Sequence, residues 1–419
     1  MPVPPPLQQS LQHPLQPALP QSQAARLAPR SPDVSERGSE HGSQHGSQHA
    51  GQHEIEPSGT IPSLDGVRAL AIALVFLAHS GLERIVPGGL GVTIFFVLSG
   101  YLITTLMRIE YRRTERIGFR AFYLRRLLRL MPPLVLVIAV AGIFSLCGVI
   151  GGGFTTQGFL SALLYYGNYF DIVHDFNGIP AGLGVLWSLA IEEHYYLLYP
   201  PLALVLLGIG TRRGAPAVLA ALCVAMLAWR YWLLGHGASE DYLTMATDTR
   251  ADAILVGCIM GLWHNPRLDP VRPPHRARDG ALAGAALFVL LATLVYRDVA
   301  FRLTLRYTLQ AVAVAPLIYL AVARSGQWPY RWLNARPLVY LGAISYTIYL
   351  VHHVILLGVL RNGPALGWFG QTLVAALLTW AVAELMRRGV EEPCALWRRR
   401  LHQRLFVDAR PDALAKATS

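Results

Sequence analysis

The sequence predicts an all-α, polytopic membrane helix bundle with about ten transmembrane helices of roughly 20 residues each, and three observations predict it. Hydrophobic residues fill 53% of the 419 positions and charged residues only 15%, with a mean hydropathy of +0.38; soluble domains carry about a quarter charged residues. Apolar runs recur at lengths near a bilayer crossing. Arginines concentrate in the short segments between those runs, as they do when charge sets orientation in a membrane. This balance excludes an ordinary soluble enzyme, a disordered chain and a fibrous repeat. Nine Trp, 18 Tyr and 38 Gly fit aromatic belts and close helix contacts.

Residues 1–60 read as a low-complexity cytoplasmic tail, rich in Pro, Gln, Ser, Gly and His and too poor in large apolar residues to build a core. No apolar segment follows the start, so a signal peptide is not expected. His41, His45, His49 and His53 recur every four residues. On a helix they would share a face and could hold a metal ion weakly, but the interleaved glycines oppose a helix.

From Val67 the apolar runs are 67–82, 89–107, 131–150, 186–209, 216–235, 252–264, 280–296, 308–324, 336–360 and 366–386, with a weaker eleventh at 157–170. Arginine placement decides their parity. Residues 108–129 hold eight arginines, and the C-terminal segment holds Arg387, Arg388, Arg398, Arg399, Arg400 and Arg404. Both belong on the cytoplasmic side, so the count is even and both termini are cytoplasmic. Ten spans stand, and 157–170 becomes a re-entrant or interfacial piece. The 252–264 run is the weakest as a full crossing. Arg297, Arg302 and Arg306 fall on the outer side, against the rule. Residues 61–390 form the membrane domain and 391–419 a basic tail. The formal charge of +11 is almost wholly arginine, Lys416 being the single lysine, and no basic soluble module is present; a nucleic-acid partner is not expected. Cys147, Cys223, Cys258 and Cys394 form no CxxC pair and read as small apolar fillers, implying neither a disulfide framework nor a metal site.

An ionisable side chain at membrane depth costs roughly 2.5–3.5 kcal/mol, so each one present is a functional candidate. Arg68 and His79 are eleven residues apart. On an α-helix that is three rotations plus about 20°, with about 16 Å of rise, so the two share a face. That suits a long substrate with an anionic end and a reactive end. Arginine holds phosphate through charge-assisted bonds, and a neutral imidazole takes a proton from a hydroxyl. The alternative makes Arg68 an orientation anchor and His79 a helix–helix partner. Ser99 and Gly100 permit close helix approach. Arg126 and Arg129, three apart, could clamp a phosphorylated ligand or simply stop the helix at the membrane face. Glu192, Glu193 and His194 open an otherwise apolar helix, where either acid could support an imidazole or pair with a buried arginine. Arg250 and Asp252 flank a span start, where a structural ion pair is the plainer reading. Ser345, Tyr346, Tyr349, His352 and His353 form a polar stripe in a late span.

Taken together, these segments resemble the membrane-bound acyltransferase family 3, which includes bacterial O-antigen acetylases and similar sugar O-acyltransferases. The match is carried by Ser63-Leu64-Asp65-Gly66-Val67-Arg68, the Arg68-to-His79 spacing, and Phe95-Phe96-Val97-Leu98-Ser99-Gly100-Tyr101. It continues through Arg126 and Arg129, Trp187-Ser188-Leu189 with Glu192, Arg250-Ala251-Asp252-Ala253, and Ile344-Ser345-Tyr346 through His352. Each motif is loose; their number and order make the match specific over residues 61–390. The resemblance implies transfer of an acyl group, usually acetyl from acetyl-CoA, to a carbohydrate hydroxyl. It implies His79 as the catalytic residue with Arg68 in the same motif, and Arg126 and Arg129 near the CoA phosphates. Some relatives carry a fused extracytoplasmic esterase-like domain, which a chain ending some 30 residues past its last span is expected to lack. His194 and Val351 depart from the family pattern, at positions that touch the expected acceptor pocket.

The expected function is therefore membrane O-acyl transfer from acyl-CoA to a carbohydrate, glycolipid or glycoside acceptor, with no bound cofactor and no metal. Arg68, Arg126 and Arg129 would hold the donor. His79 would be the general base, supported by Glu192 or Glu193. Asp65, Ser99, Tyr101, Trp187, Arg250, Asp252, Ser345, Tyr346 and His352 would line the substrate pocket. The rival readings are a non-catalytic carrier for an acyl group or glycolipid, and a structural or sensory membrane protein. Arginine-over-lysine usage and the family point to a bacterial inner membrane.

Overall fold

The computed structural model describes residues 61–210, 213–363 and 365–402. The expected tail at 1–60, with its histidine repeat, and the end of the basic C-terminal segment lie outside these residues. No strand occurs among the described residues. The helices are α1 (Pro62–Leu77), α2 (Gly88–Thr114), α3 (Phe119–Leu146), α4 (Thr156–Leu163), α5 (Gly167–His174) and α6 (Leu186–Ile209). They continue as α7 (Gly214–Gly235), α8 (Glu240–Met245), α9 (Thr247–Arg250), α10 (Asp252–Trp263), α11 (Arg276–Val295), α12 (Val299–Leu303) and α13 (Leu305–Ala323). The last are α14 (Arg336–Ala343), α15 (Ser345–Asn362), α16 (Gly367–Met386) and α17 (Glu392–His402).

All ten predicted apolar runs are helical, but they do not make ten equal crossings. Among the described residues, seven helices are long and apolar enough to cross a membrane, and eight if α14 and α15, bent by 71°, count as one. The two that fall short do so for different reasons. Helix α6 has 24 residues, but its first half carries Glu192, Glu193 and His194. Helix α10 has only 12 residues. It is apolar on all sides because α2, α7 and α13 surround it. The weak run at 157–170 forms α4 and α5, eight residues each. At 1.5 Å per residue neither can cross a bilayer.

Helices α7, α11 and α16 leave most of their apolar surface outside the protein interior, with Leu222, Val224, Phe288, Leu291, Leu373 and Leu377 all exposed. Such faces are at home in lipid, and the chain is an integral membrane protein. From α16 the chain continues through a π turn at Arg387–Glu391 into α17, the first part of the expected basic tail, which packs on α3.

The α2–α10 contact sets the bundle centre. A Cβ on Gly100 would collide with the Ile254 carbonyl, and one on Gly257 with the Val97 carbonyl. The two backbones touch directly, as small residues allow in membrane helices. At the end of α2, Arg108 grips Asp269 with two bonds of 3.0 and 2.7 Å and donates to the Gly261 carbonyl at 2.7 Å. One arginine of the orientation-setting loop is therefore a structural latch. Gly257→Val is expected to force these backbones apart at a cost of about 1–3 kcal/mol, measurable as a lowered unfolding midpoint of the detergent-purified protein.

Candidate active site

Helix α1 does not carry the α conformation to His79. It ends at Leu77, and Ala78–Leu82 form a π turn with Gly81 at φ 100°. The 100° per residue rule therefore holds only to Leu77, and the wider turn re-aims the imidazole; π turns recur at functional sites. His79 Nδ1 lies 3.1 Å from His352 Nε2, and His352 Nδ1 lies 2.7 Å from the Tyr349 carbonyl. A carbonyl only accepts, so His352 carries its hydrogen on Nδ1 and presents a lone pair at Nε2. His79 then donates through Nδ1, and its own Nε2 is left with the lone pair. The chain is anchored at its far end, where the Tyr349 hydroxyl donates to the Val185 carbonyl at 2.8 Å and lies 2.6 Å from Ser188 Oγ.

His79 is exposed, and it faces a cavity of about 400 Å³ whose walls include His353, Asp171, Trp187, Phe176 and Met245. The His353 ring sits 4.5 Å from the His79 ring, and its Nδ1 is buried without a hydrogen-bond partner. Asp171, on α5, is 2% exposed and its Oδ1 is likewise unpartnered. Burial pushes its carboxyl up to about 7. The segment between α3 and α6 thus supplies much of the cavity wall, with Gly152, Gly182 and Gly184 leaving room for it.

Near the other end of α1 arginines cluster, and we name this basic region the hollow. Arg129 is exposed. Arg126, Arg68 and Arg398 all act on it electrostatically, and Arg125 and Arg126 act on Arg398. Asp65 binds Arg68 at 2.7 Å, and Glu110 reaches Arg125 only at 4.0 Å. Among the described residues Arg126 and Arg129 have no carboxylate partner. Arg126 rests on the Tyr196 ring at 4.1 Å, and Tyr196 closes a polar cluster with Ser99 and Glu192. Ser99 Oγ donates to Glu192 Oε1 at 2.9 Å. Trp187 in the cavity and Glu192 in the hollow are five residues apart on α6, so this helix, like α1, touches both compartments.

An acyltransferase-domain family matches residues 61–386. The chain belongs to this family. It is 31% identical over 356 residues to the peptidoglycan O-acetyltransferase OatA of Listeria monocytogenes, a match covering 80% of this chain and 55% of that protein. YrhL of Bacillus subtilis, provisionally named for the same activity, is 32% identical over 349 residues, covering 80% and 54%. A provisionally named O-acetyltransferase of Staphylococcus aureus strain COL is 30% identical over 317 residues, covering 71% and 50%. The chain spans about half the length of these curated relatives. No solved structure matches it at a significant level.

In this chain the expected site residues fall into three groups. Trp187 lines the cavity with His79, while Asp65, Arg68, Ser99, Glu192, Arg126 and Arg129 gather at the hollow. Tyr346 joins α15 to α3 by donating to the Leu130 carbonyl at 2.8 Å, next to Arg129; Ser345 is buried at the bend before it. The rest are elsewhere. Neither Glu192 nor Glu193 bonds the imidazole expected to need it: His79 pairs with His352, and Glu193 Oε1 has no hydrogen-bond partner. His352 is fully buried behind His79, and His353 takes the cavity wall in its place. Tyr101 is a core residue bonded to Asn265 at 3.2 Å. His194 lies 2.7 Å from Thr247 Oγ1, and Val351 is buried.

The Arg250–Asp252 pair is replaced by another. Asp252 accepts from Arg230 at 2.6 Å and from Thr308 at 2.6 Å, tying α7, α10 and α13 together with both charges at 0% exposure. Arg250 instead lies 3.7 Å from the Tyr307 ring centre and 5.3 Å from that of Trp187, donating to the Thr244 carbonyl. Arg230 carried no signal in the sequence except its place inside an apolar run. Asp171 carried the same weak signal at the edge of 157–170.

Removing one partner of a buried ion pair leaves the other charge stranded. Arg230→Ala is expected to cost about 3–5 kcal/mol, read as a fall in the detergent unfolding midpoint. Replacing both partners, as Arg230→Met with Asp252→Leu, is expected to recover most of that loss.

Proposed function

We propose that this chain is a membrane O-acyltransferase that moves an acyl group, acetyl in the simplest case, from acyl-CoA to a hydroxyl of a carbohydrate, glycolipid or glycoside. The observation that carries this reading is the His79 imidazole: it faces a cavity with its Nδ1 hydrogen committed to His352 and its Nε2 lone pair available. Peptidoglycan, named for the relatives, is the acceptor class we favour. The setting is a bacterial inner membrane with both termini cytoplasmic and the basic hollow opening to the same side.

The donor enters at the hollow. Its phosphates meet Arg126, Arg129 and Arg398, which form no ion pair among the described residues, and Arg68, which Asp65 orients. The thioester reaches toward His79, about 16 Å of helix rise from Arg68. The acceptor hydroxyl lies in the cavity. His79 Nε2 takes its proton as the oxygen attacks the acyl carbonyl. The tetrahedral intermediate expels the CoA thiolate, which recovers the proton from the imidazolium. The products are the O-acyl ester and free CoA. His352 is a positioning residue: it fixes the tautomer that leaves Nε2 basic and touches neither substrate. Glu192, held by Ser99 and Tyr196, orders the wall of the hollow beside Arg126.

General-base help is typically worth 10²–10⁴-fold. His79→Ala is therefore expected to lose acceptor-dependent CoA release by about that factor while inserting and binding donor normally. Arg126→Ala with Arg129→Ala is expected to raise the donor KM by about tenfold or more. The measurement is free CoA released from acetyl-CoA by purified protein, with and without a sugar acceptor. Full transfer by His79→Ala refutes the base assignment. Sugar uptake into vesicles with no CoA release favours the carrier reading instead.

A further inference from the structure

The cavity beside His79 contains a carboxylate that neither the bundle nor the proposed reaction uses. Asp171 is 2% exposed, and among the described residues its Oδ1 has no hydrogen-bond partner. Its Oδ1 is fully enclosed, and the residue forms part of the cavity wall with His79 and His353. A buried carboxylate without donors is costly, and folded proteins satisfy such groups almost without exception. A ligand seated in the cavity can supply donors to it.

The other walls narrow the choice of ligand. Trp187 and Phe176 present aromatic surface, and Trp187 is braced edge-on by Phe96 at 6.2 Å. A volume of about 400 Å³ is within the usual range for a small-molecule site. A metal ion is a poor fit: no group of three or more His, Cys, Asp or Glu able to hold one occurs among the described residues. Burial pushes the Asp171 carboxyl up to about 7, and ionised above that pH it is acceptor-only. Beside an aromatic plate it suits a ligand with several hydroxyl donors on one edge and an apolar ring face.

We infer that Asp171 and Trp187 form the acceptor-sugar subsite, in which the Asp171 carboxylate accepts hydrogen bonds from hydroxyls neighbouring the one presented to His79, while Trp187 covers the ring face. This rests on the acyl-transfer reading for the identity of the ligand. It goes beyond that reading by assigning an acceptor-binding carboxylate to the short helix α5. Asp171 is not the base: it selects and orients the sugar. The geometry also gives the segment between α3 and α6 a purpose, since α5 holds this one charged group against the cavity.

The test uses the full chain purified in detergent and a neutral N-acetylglucosamine oligosaccharide as the probe. Calorimetric titration without donor measures binding alone. A hydrogen bond to a charged group is worth enough that Asp171→Asn is expected to weaken binding about 10- to 100-fold. The acceptor KM for transfer should rise by a similar factor, with the donor KM and the unfolding midpoint unchanged. Asp171→Glu, which keeps the carboxylate, should recover part of the affinity. His79→Ala should bind the oligosaccharide as the unaltered protein does while failing to transfer. Equal binding by the unaltered protein and Asp171→Asn, or no binding by either, overturns the subsite. Normal binding that depends on Asp171, with no CoA release under any condition, supports the subsite and overturns the acyl-transfer proposal instead.

Discussion

Inside hydrocarbon a polar side chain has no water to fall back on, so an imidazole keeps one tautomer only where the protein supplies its partner. The bond between His79 and His352 does this. It is anchored by the Tyr349 carbonyl, which cannot donate and so dictates where each ring carries its hydrogen. Three helices contribute to that arrangement: α1 through its π turn, α15 through His352 and Tyr349, and α6 through Ser188. The π turn is the costly element, since it gives up regular α bonding to swing one ring onto another. The proposed chemistry needs that swing, because a continuous α-helix would leave His79 on the line drawn from Arg68.

Two compartments of opposite character meet across this arrangement. One is rich in guanidinium groups, of which Arg126, Arg129 and Arg398 form no ion pair among the described residues, and an excess of positive charge draws an anion. The other is small, largely apolar and lined by two imidazoles and a carboxylate. Helices α1 and α6 each reach both. A substrate with a charged head and a reactive tail matches that division.

The buried ion pairs serve a different end. Arg230 with Asp252, fully buried, joins α7 to α10, and the part-buried Arg108–Asp269 pair ties α2 to the segment after α10. Burying such pairs gives little net stability, but leaving either partner alone is severe. They therefore favour one register of α7, α10 and α13 over its neighbours. With α10 too short to span by itself, that register is what keeps its polar end in place.

The fold class was legible in the sequence because lipid imposes a pattern that needs no tertiary information: apolar runs of set length, broken by arginine. Every run became a helix, and the basic positions Arg68, Arg126 and Arg129 did gather. Which of them cross fully was not legible, since α10 and α6 are long or apolar enough only in the company of neighbours. The site was half legible. Composition and spacing singled out His79, but helical phase alone could not tell His352 from His353, and the π turn at Ala78 changed the phase. Nor could it show that Asp252 answers to Arg230, twenty-two positions away, rather than to Arg250 beside it. Sequence alone determined which residues are too polar for lipid, because that cost is local to each side chain. Only the packed bundle decided which of them meet, because a hydrogen bond depends on a few tenths of an ångström between helices far apart in the chain.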